Sequence, residues 1–137
     1  MTSPNHIIRV LIVDDHTIVR RGIKALLAET DDIEVIGEAD NGLEAVRLAR
    51  QLEPDVILMD LLMPKMDGIE ATRQISADCP RVRVIGLSSH AASAYVDRML
   101  QAGARAYVLK DDDFEELLTA VKTVSGGGSY LSSHLRG

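Results

Sequence analysis

A chain of 137 residues with 46% hydrophobic and 3% aromatic content, no tryptophan and a formal net charge of −6 suits one domain with an aliphatic core. The acidity disfavours direct binding to nucleic acid or an anionic membrane through bulk electrostatics, and a single cysteine, Cys79, excludes an intramolecular disulfide. No apolar stretch approaches the roughly 20 residues of a membrane span, and the opening Met1-Thr2-Ser3-Pro4-Asn5-His6 lacks the basic and apolar regions of a signal peptide, so a cytoplasmic protein is expected.

In chain order, the first predicted element is a strand near 8–14, where Val10-Leu11-Ile12-Val13 runs into Asp14-Asp15. Val19, Ile23, Leu26 and Leu27 then recur at three- and four-residue steps, which marks one apolar face of a helix. A strand near 34–39 leads to Asn41-Gly42, a turn and cap for the helix carrying Leu43, Val46, Ala49 and Leu52. The third strand, near 56–60, takes Val56-Ile57-Leu58-Met59 into Asp60, and Ile69, Thr72 and Ile75 mark the helix after it. The fourth, near 82–88, takes Val84-Ile85-Gly86-Leu87 into Ser88; its helix carries Val96, Met99 and Leu100 and stops at Gly103. The fifth, near 106–109, takes Ala106-Tyr107-Val108-Leu109 into Lys110. Asp112 with Glu115 then forms a capping-box-like start to a helix with Phe114, Leu117, Leu118, Val121 and Val124. Ser125-Gly126-Gly127-Gly128-Ser129 ends that helix and has the composition of a flexible linker.

Near-continuous β-branched runs alternating with helical periods describe strands covered on both faces. Short right-handed crossovers then require a parallel sheet between two helical layers. In such a sheet ligands bind outside the carboxyl ends of the strands, at the switch point of the strand order. Asp14, Asp15, Asp60, Ser88 and Lys110 would meet there. A single Asp after a strand is equally well a helix cap. Three converging carboxylates repel unless a cation neutralises them, and Mg²⁺ suits an oxygen donor set that leaves room for a phosphate oxygen. A carboxylate beside such an ion is chemically fit to accept a phosphoryl group.

The residues Val13-Asp14-Asp15-His16, Met59-Asp60-Leu61-Leu62-Met63-Pro64-Lys65-Met66-Asp67-Gly68, Leu87-Ser88 and Tyr107-Val108-Leu109-Lys110 resemble the signatures of a two-component response regulator receiver domain, over about residues 7–125. The resemblance implies a flavodoxin-like (βα)5 three-layer sandwich, with a five-stranded parallel sheet in the order 2-1-3-4-5. It makes Asp60 the phosphoacceptor. It places Mg²⁺ (or Mn²⁺) on Asp15, Asp60 and the backbone carbonyl of Leu62, with Asp14 acting through a water. Ser88 and Lys110 would bind phosphoryl oxygens. Ser88, in a position where Thr is common, and Tyr107 would form the switch: the hydroxyl swings to the phosphoryl group and the aromatic ring rotates inward. Taken alone, Tyr107 reads as core filling with its OH at the surface. The residues two positions after the phosphoacceptor and after the switch hydroxyl, Leu62 and His90, tune phosphate loss in the family. An apolar Leu62 orients an attacking water poorly, which implies slow autodephosphorylation. Lys65 departs from the small residue usual at its position and is either a contact for the phosphodonor or a solvated loop residue. His16 either touches the acidic pair or lies on the surface, and Cys79 before Pro80 has no surroundings that would activate it.

Asp14-Asp15-His16, Lys110-Asp111 and Gly127-Gly128-Ser129-Tyr130-Leu131-Ser132 further resemble NarL/FixJ-type regulators, which carry a C-terminal helix-turn-helix DNA-binding domain. The expected organisation is a receiver domain at 7–125 and a glycine-rich tail at 126–137 leading to that domain. The expected partners are a sensor histidine kinase, a second copy on phosphorylation, and DNA only through the domain beyond the tail. The output would be transcription. The alternative is a stand-alone phosphorelay or binding protein. An Asp-dependent phosphatase with turnover is disfavoured, since Leu62 cannot supply the general acid such enzymes place two residues after the nucleophile.

Overall fold

A computed structural model describes residues 6–135; residues 1–5, which make up most of the opening segment without leader features, and the last two residues of the tail lie outside the described residues. The chain runs β1 Ile8–Val13, α1 Thr17–Leu27, β2 Ile33–Ala39, α2 Gly42–Leu52, β3 Val56–Met59, α3 Gly68–Asp78, β4 Arg83–Ser88, α4 Ser93–Ala102, β5 Ala106–Leu109, α5 Phe114–Ser125, β6 Tyr130–Leu131 and a 3₁₀ turn Ser133–Leu135. All ladder pairs are parallel. The alternation of inward and outward side chains sorts the core into two layers. Leu11, Val13, Ile57, Met59 and Tyr107 pack with Ala45, Ile69, Ile75 and Met99 of α2, α3 and α4. Val10, Ile12, Leu58, Ile85 and Val108 pack on the other face with Leu27, Leu117, Val121 and Val124 of α1 and α5. Strand β3 is buried at all four positions, which explains why its sequence is an unbroken apolar run rather than an alternating one. Among the described residues no helix is long and apolar enough to cross a membrane.

The strand order is β2-β1-β3-β4-β5-β6, so the expected order 2-1-3-4-5 holds and the expected five strands become six. The correction comes from the tail. After α5 the chain turns at Gly127, whose φ is +95°, and runs back along the edge of β5. Tyr130 N donates to Arg105 O at 3.1 Å and Ser132 N to Tyr107 O at 2.9 Å. An unpaired strand edge is a template for any extended segment that reaches it, and here a segment with linker composition occupies it. A second correction concerns the start of α5. The cap is Asp113, which accepts from Glu116 N, one residue later than the expected Asp112 and Glu115. Asp112 is committed elsewhere, accepting from Leu109 N at 2.9 Å and pairing with His134 Nδ1 at 2.7 Å. The stop at Gly103 is as expected: its φ is +119°, and a Cβ there would stand 2.2 Å from Ser76 Oγ.

The direction of winding reverses at β1, which has β2 on one side and β3 on the other. The crevice between the carboxyl ends of β1 and β3 is therefore the switch point. Two backbone bonds tie it, Asp14 N to Ala39 O at 3.0 Å and Asp60 N to Val13 O at 2.9 Å.

Candidate metal and phosphoryl-acceptor site

Asp14 and Asp60 follow β1 and β3 directly and are 2% and 6% exposed. Buried carboxylates require partners, and Lys110, at the end of β5, supplies one charge to both: its Nζ lies 2.7 Å from Asp14 Oδ2 and 3.4 Å from Asp60 Oδ1. Asp60 Oδ1 also accepts from Leu61 N at 2.9 Å. Asp14 Oδ1 accepts from His16 N at 2.8 Å and faces His16 Nδ1 at 3.0 Å. Burial and the neighbouring Asp14 push the Asp60 carboxyl above its ordinary range, against the pull of Lys110 and the Leu61 amide. Burial works to lower the Lys110 ammonium but is outweighed by Asp14 and Asp60, so its proton is held more tightly than usual. One lysine thus serves two buried acids, and the carboxylates remain short of positive charge.

That shortage is the test of whether a cation fits. Asp15 Oδ1 is buried without a hydrogen-bond partner, although His16 Nδ1 lies 3.2 Å away; the geometry of that approach is not that of a hydrogen bond. Ligand atoms of Asp14, Asp15, His16 and Asp60 all lie within 4.8 Å of one another. Carboxylate oxygens are the donors a hard divalent ion prefers. The residues present fit Mg²⁺.

The loop after Asp60 is held by two close backbone approaches that residue spacing did not reveal. A Cβ on Gly68 would stand 1.8 Å from the carbonyl oxygen of Asp60, and Gly68 N donates to Leu61 O at 2.7 Å. A Cβ on Gly42 would stand 2.3 Å from Met66 O, to which Gly42 N donates at 2.9 Å. Both positions accept only glycine, because the obstacle is backbone. Asn41-Gly42 carries that signal in the sequence but reads as a turn and cap, and Asp67-Gly68 carries it at the end of the Met59–Gly68 signature. Asn41 and Asp67 are indeed the caps of α2 and α3. Leu62 is 47% exposed on this loop. Lys65 is exposed too, with φ +69°, a left-handed conformation that explains why a small residue is favoured there.

Ser88 and Tyr107 are both fully buried. Ser88 Oγ accepts from His90 N at 3.1 Å, and Tyr107 OH donates to His90 O at 2.6 Å. Two switch candidates therefore share one backbone unit in the β4–α4 loop. The ring of Tyr107 lies across Gly86, where a Cβ would meet its Cδ2 at 3.0 Å. Its hydroxyl is thus tied down internally, and burial raises its proton affinity. The His90 ring leans on Tyr95 with centroids 4.9 Å apart. The structure brings Asp14, Asp15, Asp60 and Lys110 into one cluster and joins Ser88 to Tyr107 beside it. Leu62 and Lys65 stand on the exposed rim. Arg20, passed over in the sequence, anchors the acidic loop by donating to Asp14 O at 2.6 Å and to Glu38 Oε1 at 3.2 Å.

A doubly wound parallel sheet with an acidic cluster and a lysine at its switch point defines a receiver-type signalling module. Residues 10–122 match the response regulator receiver domain family, and the chain belongs to it. It is 48% identical over 130 residues to the transcriptional regulatory protein LiaR of Bacillus subtilis, covering 95% of this chain and 62% of that one. Among solved structures it resembles a LuxR-family two-component response regulator from Aurantimonas sp. SI85-9A1, with 36% identity, a TM-score of 0.90 and coverage of 94% of this chain and 92% of that one. It also resembles the signal receiver domain of the putative response regulator NarL from Mycobacterium tuberculosis, with 35% identity, a TM-score of 0.85 and coverage of 89% and 98%. The chain spans from 52% to 62% of the length of these curated relatives, as with the DegU of Brevibacillus brevis and LiaR.

Proposed function

We propose that this chain is a phosphorylation-activated switch that takes a phosphoryl group from a sensor histidine kinase onto Asp60 in a Mg²⁺-dependent reaction, and passes the change to a transcriptional output. The observation that carries this reading is the pair of buried acids, Asp14 and Asp60, sharing the single cation of Lys110 at 2.7 and 3.4 Å. Mg²⁺, when bound by Asp15, Asp60 and the Leu62 carbonyl, with Asp14 through a water, would neutralise charge on the acids and on the transferring group. Asp60 Oδ attacks phosphorus as the bond to the donor's histidine nitrogen breaks, leaving an aspartyl phosphate and a neutral imidazole. Lys110 holds its proton tightly and passes from the carboxylates to a phosphoryl oxygen as a point charge. Ser88 turns its hydroxyl from His90 N to another phosphoryl oxygen, and Tyr107 occupies the inward slot over Gly86 that the structure already displays. The Ser88 and Lys110 contacts to the phosphoryl group exist only in the phosphorylated state, and they shift the population toward the arrangement in which Tyr107 packs inward.

The output side follows from the likeness to transcriptional regulators. Residues 7–125 form the receiver, and 126–137 lead to a C-terminal helix-turn-helix domain through which DNA is bound; phosphorylation promotes a homodimer through the α4–β5–α5 face or α1. The module acts in the cytoplasm and turns over no external substrate, with autodephosphorylation kept slow by Leu62; His90 beside the switch and Lys65 at the donor side tune the two directions of transfer. The test is intact mass after incubation with Mg²⁺ and a small acyl phosphate. A gain of one phosphoryl group is expected, and it is absent in Asp60→Asn. A wild-type chain that gains nothing sinks the proposal.

A further inference from the structure

Gly86 lies inside β4, opposite Met59 of β3 and Tyr107 of β5. Positive φ occurs at Gly103 and Gly127 but not at Gly86, so the backbone of the strand does not call for glycine there. Glycine weakens a strand interior, and its usual reason is another group in close approach. Here that group is the Tyr107 ring. A Cβ on Gly86 would stand 3.0 Å from its Cδ2 and 3.4 Å from its Cε2, with Met99 Cε at 3.1 Å. The Met99 methyl is the end of a flexible side chain and can give way. The ring cannot do so easily: it is fully buried, it grows from a strand paired on both sides, and its hydroxyl donates to His90 O at 2.6 Å.

The groups that would answer a phosphoryl group are engaged otherwise in the same structure. Ser88 Oγ accepts from His90 N at 3.1 Å, and Lys110 Nζ lies on Asp14 and Asp60. The inward ring therefore coexists with a switch hydroxyl that is bonded to the backbone. Its room comes from the missing Cβ of Gly86, not from a departure of Ser88.

We infer that Gly86 presets the switch: by leaving the slot beside β4 open, it holds Tyr107 inward in the unphosphorylated chain. The ring then does not wait on Ser88, and phosphorylation has only the remaining outward fraction to move. An equilibrium that already lies on one side leaves a ligand little to shift. The group that phosphorylation redirects is Ser88, and with it the His90 amide that loses its acceptor. The inference rests on the switch role given to Ser88 and Tyr107 under Proposed function and adds the residue that sets its resting position.

The test reads the ring by NMR in the whole chain with no phosphodonor present. Tyrosine rings are isotope-labelled, and the relaxation caused by a dissolved neutral gadolinium chelate is measured at Tyr95, Tyr107 and Tyr130; the Tyr107 signal is the one missing from Tyr107→Phe. In the wild type an outward ring is a minor state of about a tenth or less, so Tyr107 is relaxed less than the partly buried Tyr95 and Tyr130. Overpacking of the inward slot in Gly86→Ala shifts that balance by about tenfold, and Tyr107 becomes as exposed to the chelate as Tyr95. Gly22→Ala, whose methyl would have nothing within 4 Å, leaves the signal as it was. Melting gives a second reading: Gly86→Ala lowers the melting temperature of the wild type but not that of Tyr107→Leu, where the ring is absent. Should Gly86→Ala be too unstable for spectroscopy, the wild-type signal and the melting pair decide. A wild-type Tyr107 as exposed as Tyr95, an unchanged signal in Gly86→Ala, or an equal melting loss in both backgrounds overturns the proposal. Because no phosphodonor enters, a failed reading here and a failed mass gain at Asp60 are separate results.

Discussion

Gly68→Ala is the substitution with the largest effect for the smallest chemical change. The added methyl carbon would lie 1.8 Å from the Asp60 carbonyl oxygen, 2.9 Å from its carbonyl carbon and 3.0 Å from Leu61 Cα. All three obstacles are backbone, so no rotamer relieves them; the start of α3 and the phosphoacceptor loop must separate by more than an ångström. That movement stretches the bond from Gly68 N to Leu61 O, now 2.7 Å. Overpacking costs about 1–3 kcal/mol and a weakened hydrogen bond about 1 kcal/mol. A total of about 2–4 kcal/mol lowers the melting temperature of a domain this size by roughly 8–15 °C. The displaced atoms belong to Asp60 itself, and a misplacement on the order of 1 Å costs about 100-fold in rate. Gly22→Ala is the control: it lies in α1, and its added methyl would have nothing within 4 Å, so it gains about 0.5–1 kcal/mol from helix propensity. Thermal melts and phosphorylation time courses of both variants decide the matter. A Gly68→Ala protein that melts with wild type and is phosphorylated at the same rate would falsify the clamp.

Asp60→Asn removes one of two repelling buried acids, so without metal it melts above wild type, and added Mg²⁺ narrows the difference by stabilising wild type, by about 1.4 kcal/mol at ten times Kd; a variant that melts below wild type without metal contradicts the repulsion. Tyr107→Phe leaves the His90 carbonyl without its donor and costs about 1 kcal/mol, whereas Tyr107→Ala empties a core position and costs about 3–5 kcal/mol; equal denaturation midpoints for the two would show that the ring packs loosely. Docking of the tail depends on two carboxylates held below their ordinary range. Glu116 is lowered by Tyr130 OH and the Ser133 amide. At Asp112 burial opposes the lowering but is outweighed by Ser132, the Leu109 amide and His134. A lowered value means that the docking contribution is complete above the unfolded carboxylate range and is lost as pH falls through the folded values. Protection of the Ser132 and Ser133 amides, taken relative to the intrinsic exchange rate at each pH, is therefore high at neutral pH, falls on acidification, and is already low in Glu116→Ala; protection unchanged in that variant would count against the anchor.

Much of the fold was legible because its site is built at the ends of apolar runs. Val10–Val13 into Asp14, Val56–Met59 into Asp60 and Ala106–Leu109 into Lys110 are local patterns, and the parallel sheet aligns their ends by topology alone. What escaped was set by contacts between distant segments. A two-residue strand such as β6 has no period to detect, and its glycine-rich approach reads as linker; only the free edge of β5 makes it a strand. The cap of α5 moved by one residue because Asp112 found His134, which stands 22 positions later. Gly42 meets Met66, and Gly68 meets Asp60, across turns whose closeness no single segment encodes. His16 was ambiguous for the same reason, since its position after Asp15 does not say that the ring folds back over the pair.

The tail and the acidic site meet through β5. Within four residues this strand presents Tyr107, whose hydroxyl reaches His90 O at 2.6 Å, and it leads straight into Lys110 on Asp14 and Asp60. Its outer edge holds β6 through the carbonyls of Arg105 and Tyr107, so the residue that carries the switch ring also carries the tail. Two ladder bonds at about 1 kcal/mol net each make this the weakest seam of the sheet, in contrast to β1 and β3, whose residues are buried on both faces. Segments that move in signalling are drawn from the low-stability end of a fold. On the proposed function, a shift of Tyr107 or Lys110 on phosphorylation would therefore reach the docked segment Tyr130–Leu131 before the core.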